Sequence, residues 1–228
     1  MVEIKQYLTH VNYKKGLLKK NKYIVLHYTA NNGDTALNNC IYFNKAYRGA
    51  SANYFVDESE IYQCVKDGDI AWHVGAHKYF NECRNTNSIG IEMCSRTDEN
   101  GKYYIKDETV ENAIELTIEL MKKYNIGIDH VVRHYDVTHK LCPKPWVEDE
   151  TEWIYFKSEV ERRLKMNEQY GYEVYDTIDK VPEWGRASVQ KAIDAGILKG
   201  NGRSLLLTLT EVKVLCWLDR CKCFDFIE

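Results

Sequence analysis

The sequence predicts an α/β fold: a mixed central β-sheet flanked by helices, followed by a second, small, mainly helical C-terminal domain. Three observations predict it. The β-branched and aromatic run Tyr23-Ile24-Val25-Leu26-His27-Tyr28 ends in the turn cluster Asn31-Asn32-Gly33-Asp34 and reads as a core strand. Apolar residues at helical spacing follow that strand and return in a clearer pattern over 109–124, so strands and helices alternate in the layered manner of α/β or α+β domains. Beyond Met166 the composition changes through Asn167-Glu168-Gln169-Tyr170-Gly171-Tyr172. We therefore expect a main domain over 1–166, a linker over 167–172 and a small domain over 173–228.

In chain order, the first strand delivers His27 to its end. A helix is expected over 36–48, with Leu37, Ile41 and Tyr47 at apolar spacing and Phe43 or Asn44 flanking. Short strands follow at 53–57, 61–65 and 88–94. The surest helix runs from Thr109 to Tyr124 with Val110, Ala113, Ile114, Thr117, Leu120 and Met121 on one face, and Asp107 or Thr109 is placed to cap its start. Val131 and Val132 suggest a last short strand leading to His134, and 153–166 reads as a closing amphipathic helix. The tail holds Val181-Pro182-Glu183-Trp184, a helical pattern to Ala195, the segment Gly196-Ile197-Leu198-Lys199-Gly200, and a helical run from Thr210. Such a unit can bury only a small core.

Bulk properties exclude several function classes. Of 228 residues 44% are hydrophobic and 29% charged, which suits a globular chain able to bury a core and argues against disorder. Net charge is −3 and no block of like charges occurs, so the electrostatic footprint of a nucleic-acid binder is missing. No stretch approaches the roughly 20 apolar residues of a membrane span, and no membrane insertion is expected. Residues 1–10 lack the segments of a signal peptide, so synthesis in the cytoplasm without export signal is the expectation. The eight cysteines are scattered, and most read as buried, reduced thiols. Cys221 and Cys223 stand closer together than a usual metal-binding pair.

Candidate chemistry concentrates near residue 140. His134 and Cys142 lie on a polar segment with Asp136, Thr138, His139, Lys140 and Pro143, which reads as a loop. Neutral imidazole and thiolate are good zinc ligands, and a catalytic zinc site needs three protein ligands with one position left open. His27 is a plausible third, although His130 and His139 compete for the same role and His130 and His134 could share a helix face.

Four blocks give these residues a context: Ile24-Val25-Leu26-His27-Tyr28-Thr29-Ala30-Asn31, Ala71-Trp72-His73-Val74-Gly75, Asn87-Ser88-Ile89-Gly90-Ile91-Glu92, and His134-Tyr135-Asp136 with Lys140-Leu141-Cys142-Pro143. In this order they resemble the type 2 N-acetylmuramoyl-L-alanine amidases of phages and bacilli, whose fold is shared with peptidoglycan-recognition proteins. The resemblance covers some two-thirds of the chain. It implies a zinc amidase domain over 1–166, with one Zn2+ held by His27, His134 and Cys142. It implies Glu92 as catalytic acid and base, Lys140 facing the developing oxyanion, and peptidoglycan as substrate. By the same matching Trp72, His73 and Asn53 are the expected substrate contacts. Strand alternation supports Glu92, since Ile89 and Ile91 face one way and Gly90 and Glu92 the other.

The sequence departs from the family at Ser51-Ala52-Asn53-Tyr54. Many relatives carry a histidine where Asn53 stands, and some phage members use a catalytic tyrosine where Ala52 stands. The burden shifts to Glu92. The tail from Trp184 to Gly202, with its W…AI…GI…G pattern, is similar to surface-layer-homology-type wall-binding repeats, which implies a cell-wall polymer as ligand of 173–228. A wall-cutting enzyme without an export signal suits a phage or prophage endolysin that reaches the wall after holin-type release, the alternative being a host autolysin exported by another route. The rival expectation is a protein that binds peptidoglycan without cutting it, because the shared fold also hosts such receptors.

Overall fold

The computed structural model describes residues 3–16, 21–170, 174–199, 205 and 207–224. Six strands form one sheet: β1 (Ile4–Gln6), β2 (Tyr23–Tyr28), β3 (Tyr54–Val56), β4 (Ile61–Gln63), β5 (Ser88–Met93) and, after a small antiparallel pair β6 (Arg96–Thr97) and β7 (Tyr103–Tyr104), β8 (Val131–Arg133). The spatial order is β1-β4-β3-β5-β2-β8. Only β3 and β4 run antiparallel within it, so the sheet is mixed, as expected.

The two long central strands are buried on both faces, as parallel strands covered by helices should be. Side chains alternate along them. Tyr23, Val25, His27, Ser88, Gly90 and Glu92 share one face with Phe55, which pairs with Glu92. Helix α1 (Ala36–Lys45) covers part of this face through Ala36, Cys40 and Phe43, which pack with Ala52, Phe55 and Cys64. The opposite face, with Ile24, Leu26, Ile89 and Ile91 all fully buried, meets helix α2 (Asp107–Tyr124), which packs against β2, β3 and β5.

Several sequence expectations change. Leu37 and Ile41 are only half-buried and Tyr47 is 74% exposed, because α1 ends at Lys45 and its buried stripe is offset by one residue. Neither Asp107 nor Thr109 caps α2: Lys106 is the N-cap without a side-chain bond, while Asp107 and Glu108 sit in the first turn and interact favourably with the positive end of the helix dipole. The expected loop after His134 begins as a short helix, α3 (His134–Thr138). It is nucleated by Asp136, whose carboxylate accepts from the Arg133 backbone N–H at 2.8 Å and from the Arg133 guanidinium. The strands β1, β6 and β7 had no readable pattern.

After α4 (Lys144–Glu148) comes α5 (Glu150–Tyr170), whose Trp153 and Phe156 pack with Trp146. The chain divides into two compact units between Glu161 and Arg162, inside α5. Residues 167–170 of the expected linker are therefore helical, and the rest of it lies outside the described residues.

The second unit adds a feature the sequence did not suggest, an antiparallel pair of β9 (Val174–Tyr175) and β10 (Leu207–Thr208). Helices α6 (Glu183–Asp194) and α7 (Leu209–Arg220) close its core around Val181, Val189, Ala192, Val212 and Leu215. Gly185 makes the helix contact possible, since a Cβ there would collide with the Val212 side chain. Thr208 and Glu211 cap α7 reciprocally. Gly200 and Gly202 of the wall-binding pattern lie outside the described residues.

Candidate metal centre and active site

Three parallel strands deliver the site to one edge of the sheet. His27 is the fifth residue of β2, Glu92 is its direct partner on β5, and His134 follows β8. Cys142 is brought in by the turn after α3, where the Tyr135 N–H donates to the Cys142 carbonyl at 2.9 Å.

His27, His134 and Cys142 are all buried, and their ligand atoms lie within 4.8 Å of one another. His27 Nδ1 is 3.1 Å from His134 Nδ1 and 3.7 Å from Cys142 Sγ. Ordinary Zn–N and Zn–S bond lengths in a tetrahedron place two nitrogens about 3.3 Å apart and nitrogen from sulfur about 3.6 Å apart. The two distances from His27 Nδ1 thus match two edges of such a tetrahedron, and the third edge, from His134 to Cys142, is no longer than 4.8 Å.

The donor chemistry agrees. Burial holds His27 well below the ordinary histidine range, reinforced by His134, His73 and Lys140, and burial with Lys140 lowers His134 to about 4. Both rings are neutral near pH 7, the state in which imidazole binds metal. Burial pushes the Cys142 thiol up to about 12, with Glu92 adding to the rise, so the thiol keeps its proton until a cation displaces it.

The competing histidines fall elsewhere. His139 stacks on Phe80 with ring centres 3.5 Å apart, and His130 lies against Tyr23. His130 ends a 3-10 turn before β8 and shares no helix face with His134. Among the described residues the donor group contains three members, which leaves a fourth coordination position open.

Glu92 floors a cavity of about 460 Å³. Phe55 lies beside it, Thr29, Asn31 and Asp34 form one wall, and Asn38, Asn39, Tyr42 and Phe43 of α1 form another. Oε2 of Glu92 is shielded from solvent and has no hydrogen-bond partner. Burial raises this carboxyl to about 8 against the lowering influence of Lys140. A carboxyl poised close to neutral pH can both take and return a proton. Lys140 itself is exposed, and its charge bears on Glu92, His27, His134 and Cys142 together.

The three expected substrate contacts are placed differently from one another. Trp72 is half-buried and meets Tyr47 with ring centres 5.9 Å apart, inclined at 65°. Asn53 is 1% exposed and committed to the backbone, with Oδ1 accepting from the Gly90 N–H at 2.9 Å. His73 is buried behind His27, so neither it nor Asn53 presents a groove surface. Ala52 is fully buried in the α1 cluster, and no phenol stands at that point of the site. Sequence reasoning missed Ser88 and Gly90, although strand parity with Glu92 places both on the site's face. It also missed Asp34 and Tyr42, which line the cavity.

The family model described as N-acetylmuramoyl-L-alanine amidase, Amidase_2, matches residues 18–145. The N-acetylmuramoyl-L-alanine amidase CwlL of Bacillus licheniformis is 40% identical over 156 residues, covering 63% of this chain and 41% of that protein. BlyA of Bacillus subtilis (strain 168), another N-acetylmuramoyl-L-alanine amidase, is 36% identical over 157 residues, covering 63% and 42%. The chain spans less than half the length of these relatives. Among solved structures, a mutant endolysin from Bacillus subtilis matches with a TM-score of 0.59 at 32% identity, covering 70% of this chain and 99% of that one. The catalytic domain of XlyA matches with a TM-score of 0.58 at 31% identity, with the same coverage. With the family model matched over more than half of its length, the chain belongs to the N-acetylmuramoyl-L-alanine amidases of the Amidase_2 family.

Proposed function

We propose that the protein is a zinc-dependent amidase that hydrolyses the bond between N-acetylmuramic acid and L-alanine in peptidoglycan. The observation that carries this reading is the convergence of His27, His134 and Cys142 beside the partnerless carboxyl of Glu92. Zn2+ held by these three residues would supply Lewis-acid polarisation of the scissile carbonyl and acidify water in its open position. Glu92 takes the proton of the attacking water and returns it to the departing amine. Lys140 offsets negative charge as it develops on the carbonyl oxygen. The cavity between Glu92 and α1 receives the segment of substrate next to the cleaved bond. The products are a free lactyl carboxylate and a free L-alanine amino terminus, with the glycan intact.

The reading extends to a lysin role, supported by the likeness to a mutant endolysin from Bacillus subtilis. In that role the chain is made in the cytoplasm and reaches the wall after holin-type release. The second unit, 162–228, carries Trp184 at 55% and Trp217 at 62% exposure, and we assign it to cell-wall polymer binding on that basis.

Digestion of purified peptidoglycan with and without a chelator tests the reading. New alanine amino termini without new reducing sugars, lost on chelation and restored by zinc, are expected. Wall binding with no cleavage of either bond would make the protein a recognition protein instead.

A further inference from the structure

The histidine of the Ala71-Trp72-His73-Val74-Gly75 block has no part in the chemistry above, yet its surroundings are unusually constrained. Its Nδ1 lies 3.0 Å from His27 Nε2, with the two rings nearly perpendicular at 87°. Its Nε2 lies 3.1 Å from Ser88 Oγ, and Ser88 Oγ donates to the Arg84 carbonyl at 2.7 Å.

These contacts have a direction. A carbonyl oxygen only accepts, so the Ser88 hydroxyl proton goes to Arg84. Ser88 Oγ must then accept from His73, which puts the His73 proton on Nε2 and leaves a lone pair on Nδ1. His27 must therefore donate from Nε2, and its own lone pair lies on Nδ1, the atom that faces His134 and Cys142.

We propose that His73 is a positioning residue: anchored through Ser88 to the Arg84 carbonyl, it holds His27 in the tautomer and ring orientation that present Nδ1 to a metal ion.

A second observation shows that the seat is built for this ring. A Cβ on Gly90 would stand 2.7 Å from His73 Cγ and 2.8 Å from Nδ1, so the imidazole lies directly on the backbone of β5 where glycine alone leaves room. Asn85 fixes the same segment from the other side, its Oδ1 accepting from the His73 and Val74 N–H groups at 3.0 and 2.8 Å. The ring cannot turn away from His27 without losing both supports. Histidine ligands typically depend on such an outer partner, and removing one typically costs about 10–100-fold in metal affinity.

The proposal rests on the reading of His27, His134 and Cys142 as metal ligands, and the test separates the two. In the metal-free full-length wild type, 15N NMR of the imidazoles is expected to show His27 protonated at Nε2 and bare at Nδ1. His27 protonated at Nδ1 in that spectrum overturns the proposal whatever any variant does. His73→Leu is expected to weaken zinc binding about 10–100-fold in chelator competition and to leave His27 as a tautomer mixture. His73→Gln, which retains an acceptor, is expected to recover much of that affinity. Wild-type zinc affinity in His73→Leu overturns the proposal. Should His73→Leu fail to fold, Ser88→Ala replaces it, with the same shift towards a tautomer mixture expected and an unchanged single tautomer counting against. A wild type that binds no zinc but shows the stated tautomer would sink the ligand reading and leave the hydrogen-bond assignment standing.

Discussion

His27 and Glu92 are direct partners across the parallel pair of β2 and β5, so their side chains leave the sheet side by side on one face. The register of two strands places an imidazole of the candidate metal centre next to a carboxyl, with no loop between them to relax. In the proposed mechanism a carboxyl so placed is available for proton transfer beside the donor group of His27, His134 and Cys142.

Glu92→Gln is expected to keep zinc and the fold and to lose turnover by about 10²-fold or more. Metal content and initial rates on the same preparation check this. A rate within a few-fold of wild type would remove Glu92 from proton transfer.

Zinc affinity should depend on pH in a defined way. The Cys142 thiol is protonated up to about pH 12, whereas burial keeps His134 deprotonated above about pH 4 and holds His27 well below the ordinary histidine range. Between pH 6 and 8 one proton, that of Cys142, is then released per ion bound, and affinity rises about tenfold per pH unit. Calorimetry in buffers of different ionisation enthalpy measures the proton count. Cys142→Ser should weaken binding and flatten the slope, while a count of zero in the wild type would contradict the thiol assignment.

Asn53→Ala should act on stability rather than on substrate affinity. It leaves the buried Gly90 N–H without its side-chain acceptor, at a cost of about 1–3 kcal/mol. Thermal melts and KM on the same variant separate the two effects. A raised KM with unchanged melting would return Asn53 to the substrate.

Acid should loosen the first unit through Glu58. Burial alone would raise this carboxyl, but a backbone N–H, Lys106 and Arg96 outweigh burial and hold it at about 2. Because the folded value lies below the ordinary 4.5, the stabilising contribution is complete above pH 4.5 and fades as pH falls towards 2. Glu58→Gln should lower the melting temperature near neutral pH, with the gap to wild type closing across that window. A constant gap would assign the effect to lost packing.

Replacing Trp184 and Trp217 together by alanine should reduce sedimentation of the chelated full-length protein with cell walls, while cleavage of soluble fragments by the zinc-loaded protein stays unchanged. Equal sedimentation would place wall affinity elsewhere.

Strand β2 and helix α2 were legible because their apolar patterns are long enough to fix both element and face. The donor trio could be named from its blocks, but composition alone left His130 and His139 in contention. Only the tertiary structure separates them, by stacking His139 on Phe80 and turning His130 towards Tyr23. The expectation that His73 and Asn53 contact substrate rests on motif matching, which carries no information about burial. Both are buried, and their partners Ser88 and Gly90 lie more than ten positions away, beyond the reach of any local pattern. The strands β1, β6 and β7, two or three residues each, were too short to show alternation.

The three residues proposed to hold the metal are far apart along the chain: His27 is 107 residues from His134 and 115 from Cys142. An unfolded chain offers no such site, and the ion can bind only after β2 and β8 have paired. Zinc would then work as a clasp between β2 and the edge strand β8. Every increment of its affinity would count against unfolding by mass action.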